Sequence, residues 1–207
     1  MSKRPSNGKF YSFDGLCILV ADDNRFVRSI LVTVLKALGV GRILQAENGE
    51  EAEAFLEVSA QMHGDGKEVD IIMADHLMEP GSGLGLLRYV RSHESEKIKF
   101  IPFIMMSGEA DRTAVTDARD AGVTEYLAKP MSVLGVASRL LAVIDRPRAF
   151  IRAPDYFGPD RRRQTLPYDG PDKRQIRPED VHLVDEGSHM VIETLDADEP
   201  VTEGGAG

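Results

Sequence analysis

Between Leu16 and Ile144 the chain repeats one pattern five times: a short apolar, often β-branched run followed by a longer amphipathic stretch. A strand that is apolar from end to end needs cover on both faces, and helices inserted between such strands supply it. The pattern predicts a parallel sheet with strands at Leu16–Ala21, Arg42–Ala46, Val69–Ala74, Ile101–Met106 and Val123–Leu127. Helices fill the gaps. "NRFVRSILVTVLKALG" carries Phe26, Ile30, Val34 and Leu38 at steps of four, with Gly39 in the place of a C-cap. "NGEEAEAFLEV" opens on an Asn-Gly turn and an acidic first turn that suits the helix dipole. "GLGLLRYVRSH", "DRTAVTDARDAG" and "SVLGVASRLLAVI" supply three more helices. Five βα units in this order give a doubly wound α/β fold over residues 14–146.

Length and charge bound what else the chain holds. Its 207 residues, 42% of them apolar, allow one ordinary core with residues to spare. No run of about 18 apolar residues is present to span a bilayer, and Met1 to Lys9 lack the apolar segment of a signal peptide, so the expected compartment is the cytoplasm, without membrane insertion. The lone Cys17 lies inside a strand run and reads as a buried thiol. The formal charge of -9 is unevenly spread: residues 1–146 hold 17 Lys+Arg against 21 Asp+Glu, residues 147–177 hold 8 against 4, and residues 178–207 hold none against 9. A near-balanced body is followed by a basic linear stretch and then an acidic tail. Both are rich in Pro, Gly and charge and are expected to be largely disordered, although "VHLV" and "HMVIETL" offer a weak hairpin or a docking strand. Within the basic stretch "YFGPDRR" at 156–162 and "YDGPDKR" at 168–174 repeat a Tyr-x-Gly-Pro-Asp-basic-Arg heptapeptide at a spacing of 12.

In an open parallel sheet, groups at the carboxyl ends of adjacent strands converge on one crevice. Here those groups are Asp22 and Asp23, Asp75, Ser107 and Lys129. Each alone fits a bland role: a capping pair, a turn former, a strand-to-helix turn, a surface lysine before a helix-starting proline. Their joint placement at successive strand ends argues for a site. Three carboxylates held together raise one another's pKa unless a cation sits among them, and an all-oxygen set favours a hard ion, Mg2+ first. Asp75 is the most central and is placed to attack a phosphoryl group. Lys129 would neutralise charge on the transferring oxygens, and Ser107 would donate to them.

The segments "LVADD", "MADHLMEPGSG", "IMMSGE" and "EYLAKP" resemble the four signatures of the receiver domain of two-component response regulators, which implies a flavodoxin-like sheet with strand order 2-1-3-4-5. The resemblance implies that Asp75 is the phosphoacceptor and that Asp22, Asp23 and Asp75 hold Mg2+ with the backbone carbonyl of Leu77. It makes Ser107 the switch hydroxyl, Lys129 the phosphoryl-binding cation and Tyr126 the aromatic switch. The expected donor is a histidine kinase or phosphotransfer protein, with no enzymatic activity beyond slow loss of the phosphoryl group. The sequence departs from the pattern in one stretch. The usual Met-Pro reads Met78-Glu79-Pro80, and Ser82 stands where Asp is frequent, while the distance from Asp75 to Gly83 is kept.

No helix-turn-helix pattern and no second βα array follow residue 146, so DNA is not the expected partner and output passes through a downstream protein or through the tail. Arg148, Arg152, Arg161, Arg162 and Arg163 are planar forks, Asp155 and Asp160 are acceptors, and Tyr156 with Phe157 offers stacking faces. Arg148-x3-Arg152-x2-Asp155 followed by Asp160-Arg161-Arg162 resembles the arginine-rich tail of CheY-like cyclic di-GMP effectors of stalked alphaproteobacteria, which implies nucleotide binding and docking on the flagellar motor. Three readings of the tail stand side by side: a cyclic di-GMP grip, a protein-docking linker, and nonspecific contact with nucleic acid. For the chain as a whole, a phosphorylated switch, a nucleotide effector with phosphorylation secondary, and a phosphorelay shuttle remain the alternatives.

Overall fold

The computed structural model describes residues 10–61, 68–108, 112–161, 182–184 and 194–195. In chain order the elements are β1 (Phe10–Tyr11), β2 (Cys17–Ala21), α1 (Arg25–Ala37), β3 (Arg42–Ala46), α2 (Gly49–Gln61), β4 (Ile71–Asp75), α3 (Gly83–Ser92) and α4 (Glu96–Lys99). They continue with β5 (Phe103–Ser107), α5 (Arg112–Asp120), β6 (Glu125–Ala128), α6 (Val133–Asp145), β7 (Phe150–Ala153), β8 (Tyr156–Pro159), β9 (His182–Val184) and β10 (Thr194–Leu195). The main sheet is parallel with order β3-β2-β4-β5-β6, which is the expected 2-1-3-4-5 when its strands alone are numbered.

The apolar runs explain the layering. In β2, β4 and β5 the side chains alternate between two cores, so neither face tolerates a polar residue. Leu19, Ile72 and Phe103 pack with Leu56 of α2 and Leu86 and Leu87 of α3. Ile18, Ile71 and Ile104 pack with Leu31 and Leu35 of α1 and Val136 and Leu140 of α6. Polar residues appear where strands reach the edge or end: β3 is half-exposed, and the last residues of β4 and β5 are Asp75 and Ser107. The expected strands at Arg42 and Leu16 agree to within one residue. The other three start two residues later and end one later, so Asp75 and Ser107 belong to their strands.

The i+4 stripe of α1 divides: Phe26 is 75% and Ile30 43% exposed, Val34 and Leu38 are partly buried against the core, and Arg28, Leu31, Val32 and Leu35 are buried. Asn24 caps the helix by accepting from the Phe26 and Val27 amides, and Arg28 turns inward to donate to the Asp22 carbonyl and to Glu47 (2.8 Å).

The chain after Arg146 also differs from the largely irregular segment expected. β7 and β8 form a hairpin across Pro154-Asp155, with Phe150 opposite Pro159 and Ala153 opposite Tyr156. A lone hairpin is marginal in water; this one is held by tertiary contacts. Phe150, Phe157 and Phe100 form an aromatic trio with centroids 4.9–5.5 Å apart. The buried Arg91 guanidinium lies 5.1 Å from the Phe150 ring centre and donates to the carbonyls of Lys99, Ile101 and Gly122. Burial pushes the pKa of Arg91 down from its ordinary value, and the carbonyls compensate by solvating the cation. The "VHLV" run enters as β9, which pairs antiparallel with β7, while Thr194–Leu195 pairs with β1. The rest of residues 178–207 lies outside the described residues.

Phe150→Ala should weaken hairpin docking by about 3 kcal/mol, as for other buried phenylalanines, and so raise hairpin opening by roughly a hundredfold. Limited trypsinolysis at Arg152 in the native chain measures this, with the far-UV circular dichroism of the main sheet and helices unchanged.

Candidate functional site

β2 and β4 lie side by side with Ala21 opposite Ala74, so the residues that follow them emerge together at the carboxyl edge of the sheet. Asp22 is wholly buried and accepts from the Asn24 amide (2.9 Å), a local bond that tightens the turn into α1. Asp23 is exposed and Asp75 half-buried. One carboxylate oxygen from each of the three lies within 4.8 Å of the others. β6 brings Lys129 in from the opposite side: its Nζ is 2.8 Å from Asp22 Oδ2 and 3.0 Å from Asp75 Oδ1. Ser107 is buried at the end of β5, next to Ala128 in register, and its carbonyl accepts from the Lys129 amide at 2.7 Å. The structure therefore brings Asp22, Asp23, Asp75, Ser107 and Lys129 to one edge of the sheet, as the strand-end argument expects.

One ammonium against three carboxylates leaves two negative charges uncompensated. Burial pushes the Asp75 carboxyl above its usual range; the Lys129 hydrogen bond and charge oppose that, and the neighbouring Asp22 adds to it. Burial also acts to lower Lys129, but its bonds to Asp22 and Asp75 outweigh this and its pKa is raised. Asp75 thus remains under-compensated although it has a cation as partner, because that cation is shared with Asp22. Hard oxygen donors with surplus negative charge fit a divalent cation such as Mg2+, for which Asp22, Asp23 and Asp75 are the ligand set.

Asp75 Oδ1 accepts from both Lys129 and the His76 amide (2.9 Å), so one oxygen is held and the other is left for chemistry. The His76 amide also reaches the Met106 carbonyl (2.7 Å), which ties the Asp75 end of β4 to β5. Behind it, a Cβ on Gly83 would lie 2.0 Å from the Asp75 carbonyl oxygen. The fixed spacing from Asp75 to Gly83 thus has a steric cause: the start of α3 rests against the backbone of Asp75. Displacement of the proline to position 80 does not disturb this contact, since Met78 is buried and Leu77 faces solvent. Tyr126, on β6, has a buried hydroxyl that finds no partner among the described residues.

The response regulator receiver domain family matches residues 18–140. The chain belongs to that family. It is 32% identical over 127 residues to the chemotaxis protein CheY1 of Helicobacter pylori, covering 61% of this chain and 95% of that one. It is 29% identical over 129 residues to CheY of Pseudomonas aeruginosa, covering 62% and 96%. Among solved structures, CheY4 of Vibrio cholerae shares the fold with a TM-score of 0.52 at 23% identity, covering 62% of this chain and 98% of that one. A putative response regulator from Chloroflexus aurantiacus gives 0.54 at 27%, covering 63% and 98%. Receiver domains are signalling proteins that bind Mg2+ at an acidic pocket, and the Asp22-Asp23-Asp75 cluster forms that pocket here.

The hairpin lies beyond the family match, and its arginines do not gather as a single grip. Arg148 donates to the carbonyls of Thr124 (3.2 Å) and Asp160. Arg152 lies over Phe157 and 3.8 Å from Glu96 on α4. Arg161 stacks 4.1 Å above the Tyr156 ring and pairs with Asp120 at 3.1 Å, on the α5 side. Tyr156 is buried, its hydroxyl on the Pro159 carbonyl (2.7 Å), so its ring is not an open stacking face. Asp155 occupies the turn; Arg162 and Arg163 lie outside the described residues. Arg148, Tyr156 and Arg161 do line, with Arg119, Thr124 and Tyr126, one small open pocket of about 120 Å³ between α5, β6 and the hairpin. The sequence reading missed Arg28, Arg91 and His76. An arginine on an amphipathic helix reads as surface, and nothing local marks one that turns inward.

Lys129→Met removes the cation that competes with a metal for Asp22 and Asp75. A divalent ion about 5 Å from the lost charge gains on the order of 1–2 kcal/mol in a solvated site, so Mg2+ affinity should rise roughly tenfold. Calorimetric titration with MgCl2 measures it, and the stability of the variant should become more dependent on Mg2+ than that of the parent.

Proposed function

We propose that this chain is a phosphorylation-gated response regulator whose Asp75 accepts a phosphoryl group from the phosphohistidine of a histidine kinase or phosphotransfer protein. The observation that carries this reading is the double hold on Asp75 Oδ1 by Lys129 and the His76 amide, which leaves the second carboxylate oxygen available at the mouth of the acidic pocket. That oxygen attacks phosphorus as the P–N bond to the donor imidazole breaks. The electron pair and a proton stay with the imidazole, and Asp75 becomes an acyl phosphate. Asp22, Asp23 and Asp75, together with the Leu77 carbonyl, would hold Mg2+, which would supply charge neutralisation for the phosphoryl oxygens. Lys129 Nζ, already within 3.0 Å of Asp75, donates to one of those oxygens, and Ser107 donates through its hydroxyl. Tyr126 follows Ser107: the two sit on neighbouring strands, and the unsatisfied Tyr126 hydroxyl makes its position cheap to change.

Loss of the phosphoryl group is slow hydrolysis of the acyl phosphate, and output passes to a downstream protein. The named chemotaxis relatives make the flagellar motor the first such partner to test, and a phosphorelay shuttle would use the same Asp75 chemistry. None of the described helices is long and apolar enough to cross a membrane.

A second reading, cyclic di-GMP binding, is favoured by the pocket that Arg119, Arg148 and Arg161 share with Tyr156. Its phosphates would compete with Asp120 for Arg161 and with the Thr124 and Asp160 carbonyls for Arg148.

Acetyl phosphate with Mg2+ should label the intact chain once, and Asp75→Asn should abolish the label; labelling that survives on another residue overturns the assignment. Calorimetric titration of cyclic di-GMP into the intact chain should give micromolar binding that weakens at least tenfold in the Arg148→Ala/Arg161→Ala double variant. Absence of heat from the intact chain removes the nucleotide reading and leaves the phosphorylation reading standing.

A further inference from the structure

The duplicated heptapeptide gains a meaning from the place its first copy occupies. Tyr156-Phe157-Gly158-Pro159-Asp160-Arg161 fills a cradle on the main domain made by Arg91, Phe100, Asp120, Gly122 and Thr124. Most of the repeated positions have a task there. Tyr156 is buried and bonds to the Pro159 carbonyl, which shapes the strand. Gly158 crosses Gly122 so closely that a Cβ on it would lie 2.7 Å from the Gly122 Cα. Gly122, at φ +89°, is held equally tightly: a Cβ there would lie 2.8 Å from the Phe157 carbonyl oxygen. No side chain fits at either position. The Asp160 amide bonds to the Ala149 carbonyl at 2.8 Å, which ends the hairpin, and Arg161 pairs with Asp120.

The second copy, Tyr168-Asp169-Gly170-Pro171-Asp172-Lys173, keeps the tyrosine, the glycine the close crossing demands, the proline, the aspartate, and a cation where Arg161 meets Asp120. Its one difference within these six besides Lys for Arg is Asp169 in the place of Phe157. The Phe157 ring lies between two cations, 4.7 Å from Lys99 Nζ and 5.3 Å from the Arg152 guanidinium. A carboxylate at that position gives up the aromatic packing and gains both cations as partners. The substitution is therefore charge-matched to the cradle.

We propose that the cradle is a docking site for the Tyr-x-Gly-Pro-Asp-basic segment, and that residues 168–174 are its second ligand within the same chain, taking the place of residues 156–162 when those are drawn away. In the free protein the first copy prevails. Exchange lengthens the connection from β7 from two residues to 14, a closure penalty of about 20-fold. The lost ring contacts add roughly another several-fold. Binding of Tyr156 and Arg161 elsewhere then removes the competitor, and the second copy takes the vacated cradle.

The test uses the full chain, in which Cys17 is the one native thiol and is buried. Gly158→Val ejects the first copy sterically. Cysteines replacing Asp120 and Lys173 are then joined by a short bismaleimide. The intramolecular 120–173 cross-link should rise at least tenfold over the same pair with Gly158 intact, where a 120–161 cysteine pair should link instead. Adding Gly170→Val should abolish the gain, because the second copy then meets the same obstruction at Gly122. The proposal is overturned if Lys173→Cys links no better than a Thr165→Cys control, if Gly170→Val has no effect, or if the link joins two chains.

Discussion

The site depends on an electrostatic imbalance: three carboxylates and one ammonium drawn to the carboxyl edge of a sheet whose central strands are buried on both faces. Water cannot relieve the imbalance at Asp22, which is wholly buried, and Lys129 cannot neutralise Asp22 and Asp75 together. The surplus negative charge persists because the hydrophobic cores on both sides of β2 and β4 hold the strand ends in register at far greater total free energy than the carboxylate repulsion costs. The chain thereby keeps a preorganised acidic pocket fit for a divalent cation.

The hairpin rests on a different interaction, a buried arginine that joins elements distant in sequence. Arg91 reaches from α3 to the carbonyls that follow α4 and α5, and turns the face of its guanidinium to Phe150. These contacts shape the floor on which β7 and β8 lie. The same floor includes Thr124, whose hydroxyl accepts from the Phe103 amide and whose carbonyl accepts from Arg148. The hairpin is thus anchored at the start of β6, two residues before Tyr126. Short, directional bonds from Arg148 to the Thr124 carbonyl and from Arg161 to Asp120 therefore join the hairpin to β6 and α5.

Much of the fold was legible because its signal is local and repeated. An apolar run that ends on an acid, as at Leu16–Asp22 and Ile71–Asp75, reads as a buried strand that surfaces, and five strand runs in alternation with amphipathic stretches leave few topologies. The positions of Asp22, Asp23, Asp75, Ser107 and Lys129 followed from strand ends alone. The exposure of Phe26 and Ile30 on α1 was not legible, and the inward turn of Arg28 depends on the Asp22 carbonyl and the Glu47 carboxylate. The hairpin was missed for a related reason. Phe150, Tyr156 and Phe157 are too few to announce a core among prolines and charges, and they become one only when Phe100 and Arg91 are brought beneath them.

By itself, then, the sequence determined the parallel βα architecture, the set of groups at the mouth of the sheet and the duplicated heptapeptide, since each is written in neighbouring residues or in a fixed period. The tertiary structure decided the sharing of Lys129 between two carboxylates, the inward course of Arg28 and Arg91, the need for glycine at positions 83, 122 and 158, and the docking of the hairpin. Those features arise where backbone and side chains from separated elements meet within a few ångströms, and no local pattern encodes a distance of that kind.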